Sequence, residues 1–219
     1  SVTYSKVEYC RSIDDISHPA AREILRHLKI DRGVSMTYSG DLPARSGMGS
    51  SSSFAVGLLH ALHALKGEVV SKHDLALEGI HVEQNILKET VGSQDQISAS
   101  YGGFNRITFS PGGEISVQPM TLNPEYLKLL NDHLMLFYTG IQRTASAVAA
   151  SFVPPLHTKE AALKAIGDMV KEGVSILSQG RDLNNFGKLL DEAWQVKRTL
   201  GTLISNSRVE ELYQDARAS

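Results

Sequence analysis

The sequence contains a single cysteine, Cys10, and no long apolar run. One thiol cannot form a disulfide within the chain, and it excludes a metal site built on several cysteines. A chain without structural disulfides fits a reducing compartment, so we expect a cytoplasmic protein. No stretch approaches the length of a membrane span, and no basic-then-apolar leader begins at Ser1. We therefore expect no membrane partner.

The sequence also lacks an excess of charge of either sign. Its 22 Lys and Arg residues and 24 Asp and Glu residues give a formal charge of -2. This balance argues against a general polyanion binder, so no nucleic-acid partner is expected, although a small phosphorylated ligand is compatible with it. With 219 residues and 42% hydrophobic content, the chain can form one large domain or two small ones.

Hydrophobic periodicity predicts strands and helices in no regular alternation, which favours an α+β fold over a doubly wound sheet. Strands are predicted at residues 2–10, 33–39, 104–109, 114–118 and 134–138. Helices are predicted at residues 18–28, 51–65, 71–88, 92–100, 158–177, 183–200 and 208–218. Only helices follow Pro154 and Pro155, which predicts a domain at residues 1–153 and a second at 154–219.

The most informative segment is DLPARSGMGSSSSFA, at residues 41–55. Gly47 and Gly49 have no Cβ, so their backbone can turn sharply and approach a ligand closely. Four serines follow, and then a long apolar helix is predicted. A glycine turn that opens a helix directs free N–H groups and the positive end of the helix dipole to the same point. The segment therefore predicts a phosphate-binding turn.

Known phosphate-binding and catalytic turns have spacings that this segment does not match. Ser50 follows Gly49 where a Walker A loop needs lysine, and Ser52 stands where a Rossmann turn needs glycine or alanine. A nucleophile elbow needs a glycine two residues after its serine, and none is present. The simpler alternative is a flexible loop with a serine N-cap.

Two acidic residues form a second candidate feature, Glu83 on a predicted helix and Asp95 in the turn sequence GSQDQ. Phosphoryl transfer needs Mg²⁺ to neutralise the phosphate oxygens and a carboxylate to orient or deprotonate the attacking hydroxyl. Mg²⁺ usually takes only one or two carboxylate ligands. Each acid alone is more often a surface residue or a helix cap, so their interpretation depends on the glycine turn.

A third feature is the sequence TGIQRTAS, which begins at Thr139 after a predicted strand. It is another glycine turn that opens a helix, and it includes Arg143. It could bind a sugar hydroxyl or a second phosphate. An ordinary connection with a solvated Arg143 explains it equally well.

The glycine turn resembles the phosphate-binding motif P-x-x-x-G-L-G-S-S-A-A of the GHMP kinases, with Met48 in place of the leucine and two serines in place of the alanines. In that family a glutamate holds Mg²⁺, and a later aspartate in a G-x-x-D-Q context is the base. Glu83 and Asp95 match both. The resemblance implies ATP and Mg²⁺ as cofactors, with Asp95 as the catalytic base. It assigns Mg²⁺ to Ser51 and Glu83. It assigns the ATP phosphates to Pro43, Ser46, Gly47, Met48, Gly49, Ser50, Ser51 and Ser52.

The three blocks together resemble the bacterial heptose kinases, a group of GHMP kinases that phosphorylate the anomeric hydroxyl of D-glycero-D-manno-heptose 7-phosphate for surface polysaccharide. The resemblance implies a small sugar or sugar phosphate as partner, with substrate contacts from Gly103, Thr139, Gly140 and Arg143. A homodimer is compatible with it. It also implies a ribosomal S5 domain 2-like N-terminal domain, followed by an incomplete, mainly helical part of the C-terminal domain.

Two motifs of the family, an N-terminal G-x-x-T-D and a C-terminal glycine-rich stretch, have no match in the chain. We therefore expect a truncated chain, the central part of a longer enzyme. Two alternatives remain open: another GHMP sugar kinase, of fucose or galactose type, or a non-catalytic binding or regulatory protein on the same scaffold.

Overall fold

The computed structural model of the chain describes residues 1–31, 33–41, 46–141, 149 and 156–218. The described residues form two compact units, one at Ser1–Gly103 and one that begins at Phe104. The sequence places its domain boundary after residue 153 instead. Compact units and family domains are different divisions of a chain, so the domains at residues 1–153 and 154–219 stay a prediction.

The first unit contains a small three-stranded sheet. Strands β1 (Val2–Thr3) and β2 (Val7–Glu8) are antiparallel, while β1 and β3 (Met36–Thr37) are parallel. The strand order is β2-β1-β3. The prediction of one continuous strand over residues 2–10 is therefore wrong, because the chain reverses between β1 and β2, where the N–H of Tyr4 donates to the carbonyl of Lys6.

Helices make up most of the first unit. A short 3₁₀ helix at Ile13–Asp15 precedes α1 (Pro19–His27), α2 (Ser50–Lys66), α3 (Lys72–His81) and α4 (Gln94–Tyr101). The predicted bounds of α1, α2 and α4 agree with these to within a few residues. Apolar side chains of the first unit form one core, which includes Ile24 of α1, Leu59 of α2 and Val82.

The predicted helix over residues 71–88 changes its geometry midway. After α3 ends, Val82–Ile86 forms a π-helix, in which each turn accommodates an extra residue. Both Val82 and Glu83 are buried in it. Periodicity alone could not show this change, because one turn of π-helix keeps the polar and apolar residues close to an α-helical pattern.

The second unit contains a β-hairpin and helices. Strands β4 (Asn105–Phe109) and β5 (Ile115–Pro119) pair antiparallel, as the sequence predicts. A 3₁₀ turn at Leu156–Lys159 leads into α6 (Glu160–Ser178), which α7 (Leu183–Lys197) and α8 (Ser207–Ala218) follow. An additional helix, α5 (Pro124–Asp132), was not predicted, although Asn123 caps it and Pro124 occupies its first turn.

The predicted strand at residues 134–138 is wrong. This apolar segment lies outside every described strand, and Met135 is 80% exposed. An extended segment becomes a strand only when a neighbour pairs with its N–H and C=O groups. None of the described strands pairs with it. Across the described ranges, no helix is both long enough and apolar enough to cross a bilayer.

Candidate active site

The predicted phosphate-binding turn forms the N-terminus of α2. Gly47 and Gly49 both adopt positive φ angles, 80° and 69°. Gly49 is the N-cap, and the N–H of Ser53 makes the first helical bond, to the Gly49 carbonyl at 2.9 Å. No side chain caps this end among the described residues. The preceding N–H groups, from Ser50 to Ser52, therefore have no partner within the helix and are suited to an anion.

The side chain of Asp95 lies directly against this turn. A Cβ built on Gly49 would be 3.3 Å from both Cγ and Oδ2 of Asp95. Gly49 is thus required twice, for its positive φ and for the close approach of the carboxylate. Asp95 is exposed at the start of α4. Two features that are far apart in the sequence therefore meet at one surface position.

Glu83 lies behind the turn, with only 1% of its surface exposed. Its Oε1 accepts from the Ser51 hydroxyl at 3.3 Å, and its Oε2 accepts from the Ser52 hydroxyl at 2.8 Å. The Oε2 atom also accepts from the side-chain amide of Gln96. The structure therefore brings Ser51 and Glu83 together, next to the helix that carries Asp95.

Among the described residues, the carboxylate of Glu83 has no cation as partner. No lysine, arginine or histidine within the described residues forms an ion pair with it. Burial raises the pKa of the neighbouring carboxyl Glu89, and the charge on Glu83 raises it further. Buried carboxylates without a positive partner are uncommon in proteins. The site consequently has negative charge that a bound cation could compensate.

Only oxygen atoms are available to a metal here. The Ser51 hydroxyl and the Glu83 carboxylate are hard donors, which suit Mg²⁺, and Mg²⁺ usually keeps several waters besides one or two carboxylates. The described residues include no group of three or more His, Cys, Asp or Glu side chains that could hold a metal. The donor set therefore fits Mg²⁺ better than a transition metal.

A second set of hydrogen bonds fixes the start of α4 to the π-helix. The side-chain amide of Gln84 donates to the Val91 carbonyl at 3.0 Å and to the Ser93 hydroxyl at 3.2 Å. Consecutive residues of the π-helix, Glu83 and Gln84, thus both hold the first turn of α4. This arrangement positions Asp95 against the phosphate turn.

The remaining predicted site residues are distributed over both units. Pro43 and Arg143 lie outside the described residues. The Ser46 hydroxyl is buried and has no partner among the described residues, while Met48 is largely exposed. Gly103, with φ of 75°, ends the first unit. In the second unit, Thr139 Oγ1 accepts from the N–H of Ile141, and Gly140 has φ of 71°. Their roles stay predictions.

Sequence reasoning missed the side chains that hold Glu83 and α4. The sequence predicts Gln96 only as part of the GSQDQ motif and Ser52 only as a backbone donor. Residue type does not distinguish Gln96 from Gln94, which also adjoins Asp95 but is exposed. No pattern in the sequence indicated which carboxylate Gln96 would meet.

Comparisons with known proteins show which sequences and structures this chain is similar to. Residues 15–103 match the family described as the GHMP kinases N terminal domain. The chain is 26% identical over 180 residues to the D-glycero-alpha-D-manno-heptose 7-phosphate kinase of Campylobacter jejuni, covering 81% of this chain and 52% of that protein. It is 24% identical over 188 residues to the bifunctional fucokinase/GDP-fucose pyrophosphorylase of Arabidopsis thaliana, covering 83% of this chain and 18% of that protein.

A solved structure has the same fold. The D-glycero-D-manno-heptose 1-phosphate kinase from Bacteroides thetaiotaomicron superposes with a TM-score of 0.68 at 23% identity, over 90% of this chain and 58% of that one. The mixed helical and small-sheet architecture is therefore shared with that solved structure. The chain spans about half the length of the Campylobacter relative.

Proposed function

We propose that the chain is the central part of an ATP-dependent sugar kinase. The match of residues 15–103 to the GHMP kinases N terminal domain supports this proposal. The substrate of the kinase is D-glycero-D-manno-heptose 7-phosphate, which receives the γ-phosphate on its anomeric hydroxyl. The name of the Campylobacter relative supports this substrate. The product would serve as a precursor of surface polysaccharide in the cytoplasm.

In this proposal the turn that begins α2 binds the ATP phosphates. The N–H groups of Ser50 and Ser51, at the positive end of the α2 dipole, face an anion without competition from a capping side chain. Gly47 and Gly49 allow the backbone to approach the phosphates closely. Pro43 and Ser46 belong to the same loop.

The same proposal assigns Mg²⁺ to the Ser51 hydroxyl and the Glu83 carboxylate. Bound there, the metal would neutralise charge on the phosphate oxygens during phosphoryl transfer. Burial of Glu83 keeps its carboxylate in one orientation beside Ser51. The protein's contribution is thus a fixed oxygen pair directly behind the phosphate turn.

Asp95 is the proposed base. Its carboxylate is exposed at the edge of the turn, where an incoming sugar hydroxyl could donate a proton to it. Gly103, Thr139, Gly140 and Arg143 are the proposed substrate contacts, with Arg143 on the sugar phosphate.

We further propose the family's domain organisation. Residues 1–153 would belong to a ribosomal S5 domain 2-like N-terminal domain and residues 154–219 to part of the C-terminal domain. The whole kinase would include the remainder of the length that the relatives have.

One observation supports the proposal most strongly. Glu83 connects Ser51 and Ser52 of the phosphate turn to Gln96, the residue next to Asp95. The turn and the proposed metal ligand therefore belong to one hydrogen-bonded cluster, and the proposed base is the residue that precedes Gln96. A flexible loop with a serine cap would not require this cluster.

The test is a coupled assay of ADP release by the full-length protein with ATP, Mg²⁺ and a panel of sugars. The panel contains heptose 7-phosphate, fucose and galactose, and ³¹P NMR identifies the phosphorylated carbon. We expect turnover with heptose 7-phosphate and a new phosphate on C1. Turnover with fucose or galactose, and none with heptose 7-phosphate, would show that the proposed substrate is wrong. Absence of turnover with every sugar would favour a binding or regulatory protein.

A further inference from the structure

We propose that Gln96 is a positioning residue for Glu83, and that it leaves Oε1 as the oxygen offered to the metal. The inference rests on the proposed function, because it concerns how the same site holds Mg²⁺. It is carried by the hydrogen bonds and the burial of Gln96, and neither residue type nor motif position alone would indicate it.

The two oxygens of Glu83 have different surroundings. Oε2 accepts two hydrogen bonds, from the Ser52 hydroxyl at 2.8 Å and from the Gln96 amide. From the described residues, Oε1 accepts one hydrogen bond, at 3.3 Å, from the hydroxyl of Ser51, which is an exposed residue. Because Oε2 already accepts hydrogen bonds from two buried donors, Oε1 is the oxygen that can give up its long hydrogen bond and bind a metal ion instead.

The amide of Gln96 can act only in one orientation. Its NH₂ group must face Glu83, because a carboxylate accepts and does not donate. Its own oxygen, Oε1, is then buried without a partner among the described residues. Unpaired buried acceptors are rare and destabilising. The orientation of the amide is therefore determined by Glu83 and not by a balanced set of structural hydrogen bonds.

Packing alone does not explain a glutamine at this position. Gln96 is completely buried, and its Cβ and Cγ lie 3.6 and 3.7 Å from the position that a Cβ on Gly79 would occupy. An apolar side chain of the same length would fill this space without leaving an oxygen unpaired. The polar end of Gln96 is consequently explained by the carboxylate that it contacts.

Gln96 also connects the metal-binding carboxylate to the candidate base. It follows Asp95 in the first turn of α4, with Gln96 directed into the core and Asp95 exposed. The helix α4 therefore contacts Glu83 through its buried side, and Asp95 lies on its exposed side. Residues that orient metal ligands typically change metal affinity by about 10–100-fold when they are replaced.

The test replaces Gln96 with methionine, which keeps the length of the side chain and removes the donor. The full-length protein is titrated with ADP by calorimetry, once with excess Mg²⁺ and once with EDTA, so that no turnover is needed. Mg²⁺ increases the affinity for ADP, and we expect this increase to be about 10–100-fold smaller in Gln96→Met than in wild type. ADP affinity in EDTA should stay close to wild type, because the phosphate turn is intact.

A kinetic measurement separates positioning from general damage. The Mg²⁺ concentration for half-maximal turnover should rise by about the same factor, and kcat at saturating Mg²⁺ should change far less. Gln179→Met is the matched control, because Gln179 is exposed at the end of α6 and its side-chain amide donates to the Ser175 hydroxyl at 2.9 Å. It should leave both quantities unchanged. Ser52→Ala, which removes the other donor to Oε2, carries the same test where Gln96→Met fails to fold.

An equal loss of ADP affinity with and without Mg²⁺ would show a structural role and overturn the inference, as would an unchanged Mg²⁺ effect. Failure of the proposed function has a different signature. In that case the wild-type protein phosphorylates no sugar, while the calorimetric difference between Gln96→Met and wild type still decides the role of Gln96.

Discussion

Two glutamates that follow one another along the same helical segment, Glu78 in α3 and Glu83 in the π-helix, have opposite kinds of partner. Glu78 contacts two histidines: its Oε1 lies 3.0 Å from His27 Nε2, and its Oε2 lies 2.7 Å from His63 Nε2. Within the part of the chain that the structure describes, the partners of Glu83 are the neutral donors Ser51, Ser52 and Gln96. Among these residues, Glu78 faces basic groups and Glu83 does not.

The histidine cluster around Glu78 has the geometry of an ion pair. Besides the contact to Glu78, the Nδ1 atom of His63 lies 2.7 Å from Glu68 Oε2. Because both ring nitrogens face carboxylate oxygens, this geometry favours the imidazolium, in which both nitrogens donate. Burial alone would lower the pKa of His63, but hydrogen bonds to Glu78 and Glu68 raise it above the ordinary value.

The difference between the two carboxylates favours Glu83 as the proposed metal ligand. Glu78 pairs with His63 within the corner formed by α1, α2 and α3, and this contact contributes to stability. The charge of Glu83 is solvated by hydroxyl and amide groups, which hold a carboxylate without neutralising it. A buried carboxylate of this kind beside an anion-binding turn is suited to a divalent cation.

The largest effect is expected from Asp95, which lies on the functional side of this comparison. Asp95→Asn keeps the size of the side chain and removes the proton acceptor. We expect the rate of ATP-dependent sugar phosphorylation by the full-length protein to fall by about 10²–10⁴-fold. The free energy of unfolding should change little, because Asp95 is exposed.

The control for this variant is Asp132→Asn, which removes an exposed pair with Lys128 at the end of α5. Surface pairs of this kind contribute about 0–1 kcal/mol to stability, so both turnover and folding should stay near wild type. Wild-type turnover in Asp95→Asn would remove Asp95 from the chemistry.

A smaller effect is expected from His63, on the structural side. His63→Gln keeps one donor and loses the charge, and we expect it to lower the free energy of unfolding by about 1–3 kcal/mol near pH 6. The sign follows from the raised pKa in the folded state. The stabilisation is fully present below the unfolded pKa, about 6.5, and is lost as the pH rises through the higher folded pKa.

Urea denaturation of wild type and His63→Gln at pH 6 and pH 9 measures this difference. The groups that face His63 are Glu78 from α3 and Glu68, with Lys66 paired to Glu68 and His27 paired to Glu78. The exposed His60 on the same helix supplies the control His60→Gln, which should show no such pH dependence. An equal difference in the free energy of unfolding between wild type and His63→Gln at both pH values would argue against an imidazolium at His63.

Several elements of the fold could be predicted from the sequence because their signals are local. Pro19 at the start of α1 and the hairpin of β4 and β5 depend on residues close in the chain. The predicted strand at residues 134–138 failed for the opposite reason, because strand formation depends on a distant partner. The π-helical turn at Val82–Ile86 left no periodic signal that differs from an α-helix.

The candidate site divides in the same way. The glycine turn, Glu83 and Asp95 were found from residue type, spacing and family resemblance. The contact between Gly49 and Asp95, and the donors from Ser52 and Gln96 to Glu83, are products of tertiary packing. The histidine cluster at His63 was missed because its members come from three helices and form no spaced motif.

Glu83, and not Glu78, is the proposed carboxylate ligand of the metal. The most direct measurement is calorimetric titration of the sugar-free, full-length protein with ATP, in excess Mg²⁺ and in EDTA, for Glu83→Gln and Glu78→Gln. Glu83→Gln should lose about 100-fold or more of the strengthening by Mg²⁺, and Glu78→Gln should keep it while losing stability. If Glu83→Gln retained the full effect of Mg²⁺ on ATP binding, Glu83 would not be the metal ligand.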